Sequence, residues 1–157
     1  METPRLFCTF RLKGDLYGVN VLDVKEITTE TSCTRIAHAP DEVLGLVNIR
    51  GHIHLALDLR SLMGMPRIPL NGDSRLVLFK PSVGSSFGVV VDEISDIHTA
   101  DADRIEPFSA THYEVVTARS GRVDLIDAIC KLPDELIVVL DPRKFLTVVE
   151  QQFTRSA

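Results

Sequence analysis

Short stretches of alternating apolar and polar residues, separated by glycine and proline, run along most of the chain. A period of two residues is typical of β-strands, because successive side chains point to opposite faces of a sheet. The clearest case lies in residues 45–64, where two apolar runs flank Arg50 and Gly51. Glycine readily adopts the positive φ that a tight reversal needs, so this stretch predicts a β-hairpin.

The second strand of this hairpin is predicted to bury one face and expose the other. The alternation assigns one set to the buried face, namely Ile53, Leu55, Leu57 and Leu59, and another to the exposed face, namely His52, His54, Ala56, Asp58 and Arg60. Asp58 has the residue type favoured at a helix N-cap, and Gly64 has the type favoured just after a helix. The segment therefore predicts a hairpin followed by one or two helical turns.

The same succession of residues occurs twice in the chain. Residues 55–63 align with residues 138–146, and residues 17–27 align with residues 87–97, with matching apolar and charged positions. These matches indicate a duplicated module of about 70 residues with an insertion in the second copy. We expect Gly18 and Gly88, and likewise Asp58 and Asp141, to occupy equivalent positions.

The remaining patterns also favour short strands. Strands are predicted at residues 6–12, 17–21, 76–79, 87–91, 125–132 and 136–140, and a closing helix is predicted from Pro142. Residues 65–74 contain two prolines and an Asn-Gly pair, which indicate a linker between the copies. Many short strands with short helices predict an all-β fold built of two small barrels of like topology.

Composition excludes several classes of protein. With 157 residues, of which 45% are hydrophobic, the chain is long enough to bury a core. A net charge of −5 and the absence of Trp argue against a nucleic-acid partner. Cys8, Cys33 and Cys130 form no CxxC motif, which favours a reducing compartment and the cytoplasm. No apolar run approaches ~18 residues, so neither a signal peptide nor membrane insertion is expected.

Several linked motifs in this order resemble the CheW family, the adaptors of bacterial chemosensory arrays. They are FxLxGxxYGVxVxxVxEI at residues 10–27, GLVNIRG at 45–51, LDLR at 57–60, FGVVVDEISDI at 87–97 and LDPRKFL at 140–146. The resemblance implies two SH3-like five-stranded barrels within one CheW-like domain, residues 5–147. The repeat divides this domain into barrel units at residues 5–66 and 75–147, with terminal strands free to pair across the boundary.

The resemblance also implies a function without catalysis or cofactors. Family members connect the cytoplasmic tips of methyl-accepting chemoreceptors to the regulatory domain of a CheA-type histidine kinase, and the chain is expected to be monomeric in isolation. The implied receptor groove comprises Val24, Glu26, Ile27, Gly45, Asn48, Arg50 and Gly51. Within it, Glu26 is expected to pair with Arg50. The sequence does not identify the residues that contact the kinase.

The chain departs from the family pattern at four positions. His52, His54 and Leu55 replace the usual small apolar residue and proline of the central strand. Ala128 stands where the second copy normally has a glycine opposite Gly45. These departures bear on the choice of partner more than on the fold.

A metal-dependent hydrolase is the alternative. His52 and His54 are predicted to lie on one face of a strand with Asp58, and two histidines with a carboxylate are ligands that zinc accepts. Strand alternation already accounts for the histidines, capping accounts for Asp58, and no third histidine follows at close spacing. The sequence also lacks a Ser-His-Asp order, a phosphate loop and a cofactor motif. An adaptor is therefore the preferred interpretation.

Overall fold

The structure, a computed structural model, describes the backbone of residues 3–156 and the side chains of residues 3–152. Short strands dominate this range, in agreement with the alternating sequence pattern. The strands are β1 (Arg5–Leu12), β2 (Asp15–Asn20), β3 (Val24–Thr28), β4 (Val43–Ile49), β5 (His52–Asp58), β6 (Arg75–Phe79), β7 (Phe87–Val91), β8 (Glu93–Ala100), β9 (Ile105–Pro107), β10 (Ile126–Lys131) and β11 (Leu136–Leu140). The α-helices are α1 (Leu59–Leu62), α2 (Tyr113–Arg119) and α3 (Arg143–Ser156).

The strands form two sheets. One has five strands in the order β3-β6-β7-β5-β4, and the other has six in the order β8-β1-β2-β11-β10-β9. The expectation of a mostly β fold with short helices is therefore confirmed. The second sheet has one strand more than the resemblance implied, because the three-residue β9 pairs with β10.

Each sheet takes strands from both copies of the repeat. The first hairpin of the chain, β1 and β2, lies in the six-stranded sheet, where it pairs with β8 and β11 from the second copy. All five strands from β3 to β7 form the other sheet. The chain therefore passes between the sheets twice, at Val21–Asp23 and at Asp92. Residues 65–74 connect α1 to β6 within the five-stranded sheet.

The two glycines of the repeat occupy equivalent positions. Gly18 in β2 lies beside Val139 of the parallel strand β11, and Gly88 in β7 lies beside Ala56 of the parallel strand β5. Among the described residues, β2–β11 and β5–β7 are the two parallel strand pairs. When the two copies are aligned, Gly18 matches Gly88 and Ala56 matches Val139. The predicted equivalence of Gly18 and Gly88 is confirmed.

The two aspartates of the repeat also have the same role. The side chain of Asp58 accepts a hydrogen bond from the backbone N–H of Arg60 at 3.2 Å, at the start of α1. The side chain of Asp141 accepts one from the backbone N–H of Arg143 at 3.1 Å, at the start of α3. Both aspartates satisfy a free N–H at a helix N-terminus, as predicted.

Two equivalent ion pairs hold the points where the chain changes sheets. The Nε of Arg60 donates to Asp92 Oδ1 at 2.8 Å, and Nη2 donates to Oδ2. Arg143 binds both carboxylate oxygens of Asp23, at 2.9 and 3.1 Å. Bidentate arginine–carboxylate pairs fix geometry as well as charge. The arginines shared by the two repeat copies therefore fasten both crossings.

Apolar side chains form one large core between the sheets and a smaller cluster within each sheet. The large core draws on both sheets and on α3, through residues such as Phe10, Leu57, Leu140 and Phe145. The cluster of the five-stranded sheet includes Ala56, and the cluster of the six-stranded sheet consists of β1, β2, β8, β10 and β11 residues. Both faces of the central strands are therefore covered.

The predicted assignment of the β5 side chains to one buried and one exposed face is partly wrong, because both faces of this strand are covered over part of its length. β5 lies between β4 and β7, so Leu57 packs into the core between the sheets while Ala56 packs into the cluster of its own sheet. Ile53, at the start of the strand, is 53% exposed, whereas His54 is only 7% exposed. Asp58 is also buried.

Candidate functional site

The turn between β4 and β5 forms a tight corner. Ile49 pairs with His52, which leaves Arg50 and Gly51 as the two turn residues. Both have positive φ, 50° and 85°, the combination found in type I′ hairpin turns. The side-chain oxygen of Asn48 accepts a hydrogen bond from the Gly51 N–H at 2.8 Å. The sequence-predicted corner is therefore present, and Asn48 stabilises it.

Arg50 and Glu26 are brought together as an ion pair. Nη2 of Arg50 donates to Oε1 of Glu26. Glu26 lies on β3 and Arg50 follows β4, and these are the two outer strands of the five-stranded sheet, so the pair bridges the gap between its edges. The Arg50 side chain is 72% exposed and the Glu26 side chain 24%. A guanidinium carries five N–H donors, so Arg50 keeps donors for a partner.

Gly45 has a structural role beside this corner. It sits at a β-bulge that follows Val43 in β4, with φ of +145°. A Cβ atom added there would lie 2.2 Å from the backbone oxygen of Thr34. Leu46 and Thr34 exchange two backbone hydrogen bonds at 2.7 and 2.8 Å. Only a glycine allows residue 34 to approach β4 so closely.

Ala128 shows why the second copy tolerates a side chain here. It also follows a β-bulge, between Ile126 and Ala128 in β10. Its neighbour on the next strand is Pro107, and its φ is not positive. The departure from the family pattern is therefore accommodated by a different backbone conformation.

Partly exposed apolar side chains lie around the corner. Ile27 on β3 and Leu46 on β4 are exposed, and Val24 is half-buried against the core between the sheets. Ile53 lies opposite Asn48 on the same face of the hairpin. Sequence reasoning missed Ile53, because alternation alone does not show that the strand begins outside the core.

His54 lies beneath the corner. It is buried opposite Val47, and its Nδ1 has no hydrogen-bond partner within the described part of the chain. Burial, followed by the charges of Lys25 and His52, lowers the pKa of His54 below its ordinary value of 6.5, although Glu26 acts in the opposite direction. The imidazole is therefore held in its neutral form.

This shift predicts a pH-dependent stability. Because the pKa of His54 is lower in the folded protein, the unfolded chain takes up the proton first as the pH falls below about 6.5. Unfolding free energy should fall by at most about 1.4 kcal/mol per pH unit from this group alone. Urea denaturation at several pH values between about 5.5 and 7.5 measures this change in the free energy of unfolding. His54→Val should flatten the profile, and an unchanged slope in that variant would contradict the assignment.

The alternative metal site is not assembled. His52 is exposed, His54 is buried, and Asp58 lies at the other end of the strand. The Asp58 carboxylate accepts a hydrogen bond from Ser61 Oγ at 3.1 Å and lies 3.3 Å from Arg67. Among the described residues, no three His, Cys, Asp or Glu side chains are grouped to hold a metal ion. These three residues therefore have separate surroundings.

Two further features bear on the sequence expectations. All three cysteines are free thiols, with Cys8 and Cys130 buried and Cys33 half-buried. Burial raises the pKa of each of these thiols. In the part of the chain that the structure describes, no helix has both the length and the apolar character needed to span a membrane.

Comparison with known proteins identifies the family. A family model described as CheW-like domain matches residues 6–150. The chain is 30% identical over 145 residues to the chemotaxis protein CheW of Klebsiella aerogenes, covering 92% of this chain and 82% of that protein. It is 33% identical over 107 residues to the probable chemotaxis protein CheW of Rhizobium etli, covering 68% of each.

A solved structure agrees with these matches. The scaffolding protein TtCheW of Thermoanaerobacter tengcongensis superposes with a TM-score of 0.74 at 25% identity, covering 88% of this chain and 89% of that one. The sequence matches, the shared fold and the repeated motifs lead to one conclusion. The chain belongs to the CheW-like domain family, whose members are non-catalytic chemotaxis scaffolds.

Proposed function

We propose that this protein is a cytoplasmic adaptor that couples chemoreceptor tips to the regulatory domain of a CheA-type histidine kinase. Membership of a family of chemotaxis scaffolds supports the proposal. The observation that carries it is the corner of the five-stranded sheet, where a largely exposed Arg50 is oriented by Glu26 beside exposed apolar side chains. Such a surface suits a helical partner that presents both apolar and charged groups.

The proposed receptor surface combines groups that contact the partner with groups that shape the backbone. Arg50 offers hydrogen-bond donors, Glu26 orients it, and Ile27 supplies apolar area. The full set is Val24, Glu26, Ile27, Gly45, Asn48, Arg50 and Gly51. In this set, Asn48 and Gly51 fix the turn and Gly45 fixes the neighbouring segment.

An adaptor needs a second surface for its second partner. Leu6 on β1 lines a groove of about 340 Å³ on the other sheet, and its side chain is exposed. We place the kinase regulatory domain on this sheet, which leaves the Arg50 corner free. One monomer then holds both partners at once.

The test is the variant Arg50→Glu. It places a second carboxylate beside Glu26 and leaves the buried apolar faces of β4 and β5 unchanged. Binding of a soluble receptor-tip fragment should fall by about 10-fold or more, because a charged contact is reversed. Binding of the kinase regulatory domain should change by less than about two-fold, since the two surfaces lie on different sheets and an exposed charge outside a contact has a small effect. Calorimetric titration measures both affinities.

A matched variant on the other surface is Leu6→Glu, which should weaken kinase binding and spare the receptor tip. Circular dichroism checks that both variants are folded. Unchanged receptor affinity in folded Arg50→Glu would remove Arg50 from the site. Equal losses for both partners would instead assign Arg50 a structural role in the corner.

A further inference from the structure

The Arg50 corner is positively charged on a negatively charged protein. The chain has a net charge of −5. At the corner, however, two cations, Lys25 and Arg50, lie beside one acid, Glu26. Glu26 is already paired with Arg50. The local balance therefore leaves positive charge facing solvent.

The polar side chains of this corner come from two different parts of the five-stranded sheet. Lys25 is the extra residue of a β-bulge between Val24 and Glu26, and it is exposed. His52 is exposed directly after the turn, opposite Ile49. The Glu26–Arg50 ion pair holds these two parts together. Their grouping thus depends on the tertiary structure and not on neighbouring positions in the sequence.

We infer that Lys25, Arg50 and His52 form an acid-recognising rim, and that the receptor segment bound here presents a carboxylate next to apolar side chains. This inference rests on the proposed receptor-binding function. Arg50 supplies charge-assisted hydrogen bonds to the carboxylate through the donors that Glu26 does not use. Lys25 adds attraction at longer range, which selects acidic partners and speeds their association. The exposed imidazole of His52 offers a ring N–H donor to the same carboxylate.

The apolar side chains beside the rim define the rest of the partner. Ile27 and Ile53 are exposed, so a partner with a carboxylate alone would leave them in water. An amphipathic helix whose acidic residue lies one turn from an aliphatic residue covers both kinds of group.

The test compares three substitutions to glutamate in the intact protein. Lys25→Glu and His52→Glu change the rim. Lys13→Glu is the matched control, because Lys13 is exposed and its N–H binds Asp92, near Arg60 at the opposite end of β5. At about 50 mM salt, the two rim variants should bind a soluble receptor-tip fragment about 3- to 10-fold more weakly. Lys13→Glu should stay within about two-fold of the original protein.

A second arm of the experiment identifies the partner group. Acidic residues of the tip fragment are replaced one at a time by their amides. For one of these amide variants of the tip fragment, the original protein and His52→Glu should bind with the same affinity, which is the signature of a coupled pair. Raising the salt to about 500 mM should also reduce this difference. Lys25→Arg, which keeps the charge, should bind normally.

The outcomes separate this inference from the function on which it rests. If the tip fragment binds and both rim variants bind as well as the original protein, the acid-recognising rim is wrong and the receptor surface stands. If Lys13→Glu weakens binding of the tip fragment as much as the rim variants do, the overall charge of the protein is responsible, and the inference of an acid-recognising rim is again wrong. If the original protein does not bind the tip fragment at any salt concentration, the proposed function itself fails.

Discussion

Replacing Gly45 with alanine should lower the free energy of unfolding by about 2 to 6 kcal/mol. Two effects add at this position. A φ of +145° is strained for any residue with a side chain, and the new Cβ would lie 2.2 Å from the Thr34 carbonyl oxygen. That oxygen belongs to the backbone and is held by the hydrogen bond from Leu46. Relief of the clash therefore requires that the Thr34 segment separate from β4.

Ala128→Gly provides the matched control for this prediction. Position 128 is the equivalent bulge in the second copy and has no positive φ. Removing its side chain should cost only about 0.5 to 1 kcal/mol, mainly through the greater freedom of glycine in the unfolded chain. Urea denaturation followed by circular dichroism gives both values. Similar losses for the two variants would show that the Thr34 contact does not constrain Gly45.

Leu57→Ala and Leu140→Ala should each cost about 2 to 5 kcal/mol. Both side chains are almost fully buried in the core between the sheets, on the equivalent strands β5 and β11. Truncation removes apolar contacts and leaves a cavity that the surrounding strands fill only in part. Because both sheets contribute to this core, the loss should appear as one cooperative transition at lower denaturant concentration.

Ile53→Ala tests whether burial, and not residue type, causes this loss. It removes a similar number of apolar atoms from the same strand as Leu57, at a position that is exposed. Its cost should be less than about 1 kcal/mol, as is usual for exposed positions. A loss below about 1 kcal/mol for both leucines would mean that their assignment to the core is wrong.

Local sequence patterns were sufficient to find most strands and the repeat. The hairpins around Arg50 and between β6 and β7 follow from alternation and turn residues, which act over a few positions. The pairing of β2 with β11 does not follow, because the strands are far apart in the chain and no local signal encodes their contact. The polar stretch that contains β9 and α2 likewise lacks a periodic pattern.

The faces of β5 show why alternation has limits. A period of two identifies a strand with one wet face, whereas β5 has a wet beginning and an end that is covered on both sides. His54 and Ile53 were therefore assigned to the wrong environments. The first residues after a two-residue turn lie at the rim of a sheet, and this signal would have placed Ile53 in solvent.

The candidate site was accessible to sequence reasoning only in part. Composition and periodicity gave no reason to join Glu26 to Arg50, and their pairing was expected only from the family resemblance. The structure supplies the reason, since the two residues lie on opposite edges of one sheet. The grouping of Lys25 and His52 with Arg50 also depends on this pairing, which no spacing in the sequence reveals.

The two fastened crossings between the sheets restrict how the molecule can move. Two bodies joined by one linker can swivel about three axes, whereas two attachment points leave only rotation about the line that joins them. Here the attachments are Val21–Asp23 and Asp92, each locked by an arginine, and the common core opposes the remaining rotation. We therefore expect a displacement imposed on one sheet to move the other sheet with it as a rigid body. The adaptor proposed above would then link its two partners through a rigid body and not through a flexible tether.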